Sequence, residues 1–340
     1  MFANWKSAIY EYAYRRNKLE ADGELEQLAS IVRDSRYMQE TGQLVRRRHA
    51  SRSARGISPV RAETGMSIRS SDESERQAVV KLEFRRSLEY EQSGVSFRED
   101  RVDRETITVC RKGKQWEIVS VLPEIAERRP ASPPPAFVPI PPENDERERV
   151  RSAPFLNSSV FPAIAADSSA RVRTYDRRKA QQYAETWWNG YNPKYEHFEV
   201  DCTNFVSQCL FAGGAPMDYT GKRESGWWYT GRQGNRELWS FSWAVAHSLN
   251  AYLSSGGGRL RAEPADSPRK LAIGDVICYD WDGDGRFQHN TIVTAFDAAG
   301  MPLVNAHTVN SRARYWDYRD SYAWSPKTRY RFYHIADFFN

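Results

Sequence analysis

The first 45 residues repeat their apolar side chains at helical spacing. Trp5, Ile9, Tyr12 and Ala13 share one face, and Leu25, Leu28, Ile31 and Val32 share another, with Asp22-Gly23 between them. Two helices are therefore predicted. Residues 46–77 are rich in Arg and Ser and poor in large apolar groups, which predicts a long loop, part of it disordered. From Ala78 the period becomes two. Val80, Leu82, Phe84, Leu88 and Tyr90 alternate with Lys81, Glu83, Arg85, Ser87 and Glu89, the pattern of a half-buried strand. Arg86 interrupts the apolar side and predicts a bend or bulge. Further strands are predicted at Val95–Arg98, Thr106–Arg111 and Gln115–Leu122, with Lys112-Gly113-Lys114 as a hairpin turn. Helices followed by an antiparallel meander predict a small α+β domain over residues 1–127.

Residues 128–172 break every periodicity. Pro130-Ala131-Ser132-Pro133-Pro134-Pro135 and Pro139-Ile140-Pro141-Pro142 favour extended polyproline geometry, and a charged run from Glu143 to Arg151 follows. This is expected to be a linker. A second domain, 173–340, opens with a helix capped by Asp176 whose inner face carries Ala180, Tyr183, Ala184, Trp187 and Tyr191. A helix from Asp201 to Gly213-Gly214 comes next. Then come the aromatic run Trp227-Trp228-Tyr229 and a helix from Ser242 to Leu253, ended by Gly256-Gly257-Gly258. Strands are predicted at Asp275–Trp281, Asn290–Phe296 and Leu303–His307. Helices first and a sheet after give a second α+β layout, with helices packed on an antiparallel sheet.

Composition refines this picture only a little. The 340 residues suffice for two domains, and a 40% hydrophobic fraction with 11 Trp, 18 Tyr and 15 Phe supports packed cores. A net charge of +5 does not argue for a specific nucleic-acid partner. The four cysteines, Cys110, Cys202, Cys209 and Cys278, lack CxxC spacing, so reduced thiols are expected rather than a disulfide scaffold. The N-terminal stretch has no signal-peptide pattern and no apolar run reaches membrane-spanning length, so a cytoplasmic protein is expected.

The chemistry concentrates on Asp201-Cys202-Thr203-Asn204-Phe205-Val206-Ser207-Gln208-Cys209-Leu210. Asp201 is expected to cap the helix, with Phe205, Val206, Cys209 and Leu210 on its apolar face. Cys202 then lies in the first turn, where the helix dipole favours a thiolate nucleophile. Such a nucleophile needs a base and an orienting group. His289 leads into a strand, and Asp297-Ala298-Ala299-Gly300 turns the chain into the next, where Asn305 and His307 share a face. Either is a candidate to hold the His289 ring. Asp280, Asp282 and Asp284 before Gly285 have the look of half a calcium loop, but Thr291 stands where the closing acid would be. A tight acidic turn is expected there, with no metal. Cys209 and Cys278 are expected in the core.

These residues carry a family resemblance. The Asp201–Gln208 stretch is similar to the signature of the bacterial putative amidase domain, within the NlpC/P60–CHAP superfamily of papain-like cysteine hydrolases. So are Asn192-Pro193-Lys194-Tyr195, Ser242-Trp243, Gly274-Asp275-Val276-Ile277, Asp280 to Gly285, His289 and Val304-Asn305-Ala306-His307-Thr308. Separately, the hairpin Gly113 to Val119 resembles the last one of cystatin-like or NTF2-like domains. The amidase resemblance covers about residues 173–338. It implies a papain-like (NlpC/P60-type) fold, a Cys202 nucleophile, a His289 base and Asn305 as the third residue, with His307 the alternative. It implies a peptide or peptidoglycan-fragment substrate, no cofactor, and the Cys202 backbone N–H among the oxyanion donors. Two other readings stay open: an acyltransferase using the same Cys–His site, and a non-enzymatic peptide- or glycan-binding module with Trp227, Trp228 and Tyr229 as its platform. The oligomeric state is left open.

Overall fold

The computed structural model describes residues 4–129, 173–233 and 236–339. The Pro-rich and charged segment expected as a linker lies, from residue 130 to 172, outside the described residues. The chain folds into two compact units. The first takes its described residues from 1–126, 295–305 and 309–326, and the second takes its own from 127–294, 306–308 and 327–340. Both combine helices with antiparallel strands, so the fold class is α+β.

The first unit begins with α1 (Trp5–Asp22), α2 (Leu25–Ala29) and α3 (Ser35–Arg55). Asn4 caps α1 by accepting the Ser7 N–H, and Gly23 ends it at φ 76°, a left-handed value that costs glycine little. The predicted loop over 46–77 is corrected: α3 runs on to Arg55, and β1 (Ile57–Glu73) follows. Helix-compatible Arg and Ala carry α3 onward, and β1 is held through its backbone ladder to β2 (Gln77–Gln92) rather than by an apolar face. β3 (Val95–Lys112) is one strand where two were expected, and β4 (Gln115–Pro123) pairs with it after a turn at Gly113. β2 pairs in unbroken register with β3 through Arg86, so no bulge forms there. Instead the Arg86 guanidinium is buried against Glu20 of α1 and Asp103. Trp5, Ile9, Tyr12, Leu28, Val80, Leu82, Phe84, Ile107 and Ile118 form the core between helices and sheet.

The second unit opens with β5 (Arg173–Thr174), α4 (Arg177–Trp187) and α5 (Cys202–Ala212), followed by the hairpin β6 (Tyr229–Gln233) and β7 (Arg236–Trp239). Asp176 caps α4 by accepting the Lys179 N–H. The helix predicted over 242–253 is broken at Val245 into α6 (Phe241–Ala244) and α7 (Ala246–Ser255), and Gly256 ends it at φ 63°. The strands of this unit are β8 (Ala262–Ala265), β9 (Val276–Asp280), the start of β10 (His289–Phe296) and β13 (Arg329–Ile335). They pair antiparallel in the order β10-β9-β13-β8, and β14 (Phe338–Phe339) pairs with β5. β11 (Pro302–Ala306) and β12 (Ser311–Tyr315) lie mainly in the first unit, where β12 pairs with β3.

α5 is buried from Cys202 to Leu210, its polar face as well as its apolar one. Its polar side chains find partners: Asn204 Oδ1 accepts from Trp243 Nε1 at 2.8 Å, Ser207 Oγ donates to the Trp243 carbonyl at 2.8 Å, and Gln208 Oε1 accepts from Tyr183 at 2.6 Å. Satisfied in this way, they can be buried without the usual penalty. Trp227, Trp228 and Tyr229 are buried, and Trp227 and Tyr229 pack on Trp243. Trp227 and Tyr229 belong to the core that seats α5, and none of the three is exposed as a binding platform.

Candidate active site

Cys202 is the first residue of α5 and is 1% exposed. Asp201 precedes it at the cap position, yet its carboxylate makes no cap to the helix. Oδ1 accepts from the Phe198 N–H and from Asn204 Nδ2, at 3.2 and 2.9 Å, and Oδ2 faces His307 Nδ1 at 2.7 Å. The expected cap is thus replaced by a lateral tie to the segment after β11. His307 is fixed on its other side as well. Its Nε2 lies 2.7 Å from the Trp187 carbonyl, and its ring stacks on Phe205 at 4.0 Å. Both ring nitrogens are engaged, which leaves His307 committed to the start of α5.

The helix cap comes instead from Thr308. Its Oγ1 accepts from the Asp201 and Cys202 amides, at 3.0 and 3.1 Å. The Cys202 N–H expected to meet an oxyanion is therefore occupied in this structure. The thiol itself lies against the first residues of β10: the Gln288 carbonyl is 4.0 Å away, and the Asn290 backbone N–H is among the groups that favour its ionised form. The Thr203 hydroxyl is 3.7 Å from the sulfur. Burial pushes the thiol above its ordinary value. Hydrogen bonds from Asn290, Thr203 and Thr308 pull it back, and the Asp201 carboxylate pushes it up further. Burial is the largest of these influences, so the shift runs against the thiolate expected at a helix start.

Alternation along β10 separates its first two side chains. Asn290, opposite Cys278, turns its amide to the Thr203 hydroxyl at 3.0 Å. His289, opposite Tyr279, is fully buried, with ring centroids 5.5 Å from Tyr279 and 5.9 Å from Trp281. The structure thus brings Cys202 onto the backbone on either side of His289. Asn305, within the first unit, accepts from the Ala313 N–H at 2.8 Å. In the acidic turn Asp280 accepts from the backbone of Asp282, Gly283 and Gly285, Asp284 accepts from that of Arg286, and Asp282 accepts from the Arg128 guanidinium. Cys209 and Cys278 are core residues, and no group of three or more metal-ligating side chains forms among the described residues. Sequence reasoning missed Thr308, Asn290 and the Asp201–His307 tie. The only signal for them was their adjacency to the residues singled out.

Residues 174–333 match the family model described as "Putative amidase domain". Over 171 residues the chain is 53% identical to "Uncharacterized protein YhbB" of Bacillus subtilis (strain 168), a match covering 50% of this chain and 53% of that protein. Over 181 residues it is 30% identical to "Uncharacterized protein YjcM" of the same organism, covering 49% and 40%. The chain spans about half the length of the curated relatives it matches. Among solved structures, "Crystal structure of intermembrane space region of chloroplast protein ARC6" is similar at 15% identity and a TM-score of 0.25, covering 35% of this chain and 94% of that one; a likeness at this score carries no argument. The family match supports an amidase-like domain in the C-terminal part and a hydrolase-like role. Among the described residues, no helix is long and apolar enough to cross a membrane.

Proposed function

We propose that residues 173–340 act as a thiol-dependent amide-bond hydrolase on peptide substrates of the peptidoglycan type, with residues 1–127 a separate domain and 128–172 the linker. Cys202 is the nucleophile, His289 the base, and Asn305 the residue that holds its ring. The observation that carries this reading is the seat of the Cys202 sulfur at the start of a buried helix, against the Gln288–Asn290 backbone that brackets His289. Burial keeps the free thiol protonated, so the proton leaves as the bond forms. The sulfur attacks the amide carbonyl while its proton passes to His289. The C–N bond then breaks, and the amine departs with that proton. Water, deprotonated by the same imidazole, cleaves the thioester and releases the carboxylic acid and the thiol.

The test is incubation of the full chain with purified cell-wall fragments and acyl-peptide libraries, read by mass spectrometry. Water-dependent cleavage that is lost in Cys202→Ser and in His289→Ala is expected, the two losses being no larger together than singly. A product carrying the acyl group on an added amine would make the enzyme a transferase. Turnover by His289→Ala near the wild-type rate at pH 7 would remove His289 as the base.

A further inference from the structure

The first unit contains a cavity of about 60 Å³, walled by α3, by β1 to β3, and by Tyr315 and the turn that follows it. That volume holds several waters or one small oxyanion. Five arginines converge on it. Arg48, Arg52 and Arg55 recur at i, i+4 and i+7 on one face of α3, and Arg86 of β2 stands directly opposite Arg101 of β3. Like charges directly across a ladder destabilise it unless something answers them. Carboxylates answer in part: Glu20 takes Arg48 and Arg86, Asp103 takes Arg86 and Arg101, and Asp320 takes Arg101. Donor capacity is left over. Among the described residues, Nε and Nη2 of Arg55, Nε and Nη2 of Arg86 and Nε of Arg101 are buried and meet no hydrogen-bond acceptor. Asp297, Glu105 and Asp103 stand 3.6, 3.9 and 3.2 Å from Arg55 Nη2, Arg86 Nη2 and Arg101 Nε, without the alignment of a hydrogen bond. Buried donors in this state are costly until a ligand, an ion or water meets them.

In a guanidinium, Nε and Nη2 are the two donors along one edge, the pair that takes a carboxylate or phosphate side-on. Arg55 presents that edge by stacking. Its guanidinium lies 3.6 Å over the Tyr315 ring and 5.7 Å from that of Tyr90, both in the cavity wall. The Arg55 side chain is 13% exposed and that of Arg86 7%, so bonds made there are little weakened by solvent. Two non-glycine residues shape the wall around Tyr315 from the left-handed region, Ala313 at φ 51° and the buried Tyr318 at φ 54°. Such strain persists where neighbours hold it, as at ligand clamps, and here Arg314 stacks on Tyr318 at 3.8 Å. Glu99 and Asp317 also line the cavity. Burial pushes both carboxyls up, Asp317 to about 6, so each can take a proton and donate to an anion. Exposed Pro59 and Glu63 of β1 form a rim open to solvent. We propose that this cavity binds a small ligand through a carboxylate or phosphate group, held by the Arg55 and Arg86 edges. The site belongs to the first unit alone and does not depend on the role of Cys202.

The experiment is isothermal titration of the full chain with inorganic phosphate and with acetate, at matched ionic strength. Saturable single-site binding of one or both is expected by about 10 mM, and the stronger probe tells which group the site prefers. Arg55→Lys keeps the charge but loses the planar edge, and it is expected to weaken that binding at least tenfold, roughly the worth of one charge-assisted pair. Ala62→Leu, on β1, leaves every guanidinium in place and fills the cavity, and it too is expected to remove binding. Circular dichroism establishes that each variant is folded. Absence of saturable binding of either probe to the wild-type chain would overturn the proposal. Unchanged affinity in folded Arg55→Lys or in folded Ala62→Leu would overturn it as well.

Discussion

His307 Nδ1 lies 2.7 Å from Asp201 Oδ2, so a residue that follows β11 is bound to the residue immediately before the candidate nucleophile. The carboxylate collects three donors in all, from His307, Phe198 and Asn204. Removing it strands all of them in a buried setting. Asp201→Ala is expected to cost about 3–5 kcal/mol, read from the urea midpoint at unchanged m-value. A loss below 1 kcal/mol would mean that the tie contributes little to the seating of α5.

Thiol reactivity should follow burial and hydrogen bonding. Cys110 is half-buried, while Cys202, Cys209 and Cys278 are buried. Burial pushes all three buried thiols up, and Cys209 is held well above its ordinary value. Cys202 alone among them receives the Asn290, Thr203 and Thr308 donors. In the substrate-free protein, iodoacetamide is expected to reach Cys110 first and Cys202 next as pH rises. Cys209 and Cys278 should follow only on unfolding. Peptide mapping after timed labelling measures this, and labelling of Cys278 ahead of Cys202 would contradict it.

Glu20 is the hub of a buried network in the first unit. Burial opposes its ionisation, yet Arg48, Arg86 and Arg16 together hold its carboxyl well below the usual range. A carboxyl lowered by folding stabilises the protein above the unfolded value of about 4.3, and that contribution is lost as pH falls through the folded value. Glu20→Gln is expected to destabilise by about 3–5 kcal/mol at pH 7 and to flatten the acid limb of a stability–pH curve. Equal acid sensitivity in variant and wild type would contradict this.

Asp317 has the opposite sign. Burial raises its carboxyl to about 6, against the pull of the Arg319 backbone N–H. The folded protein then holds a proton between about pH 3.9 and 6 that the unfolded chain has released, so stability falls as pH rises across that interval. Asp317→Asn keeps an acceptor for the Arg319 N–H and is expected to raise stability at pH 7 by at most about 3 kcal/mol. Thermal melts at pH 4 and pH 7 measure it; a gain at pH 4 as large as at pH 7 would rule out this cause.

The elements that announced themselves in the sequence were those whose periodicity is enforced by one buried face, such as α1, α4 and β2. The misses have physical causes. β1 lacks an apolar face because its ladder to β2 supplies its order, so residues 57–73 read as a loop. Arg86 read as a defect because its partner, Glu20, lies 66 positions away in sequence. Cys202 lies against the backbone just before β10, with the Gln288 carbonyl 4.0 Å from its sulfur. The Thr308 cap was illegible because it depends on a left-handed backbone that no pattern of residue types announces. The Asp201 carboxylate was assigned to the helix because capping is local and its true partner, His307, is not.

The polarity that disguised β1 has a purpose of its own. It is an edge strand of the first unit's sheet, 17 residues long, and among the described residues no further strand pairs with its outer side. A flat apolar strand in that place would invite the edge of another molecule to extend the sheet, the first step toward filaments. Pro59 withholds a donor, Arg61, Glu63, Arg69, Asp72 and Glu73 space charge along the length, and register shifts after Pro59 and Ile68 spoil its flatness. The Arg- and Ser-rich composition of residues 57–73 thus keeps molecules of this protein from adding to one another's sheets at high concentration.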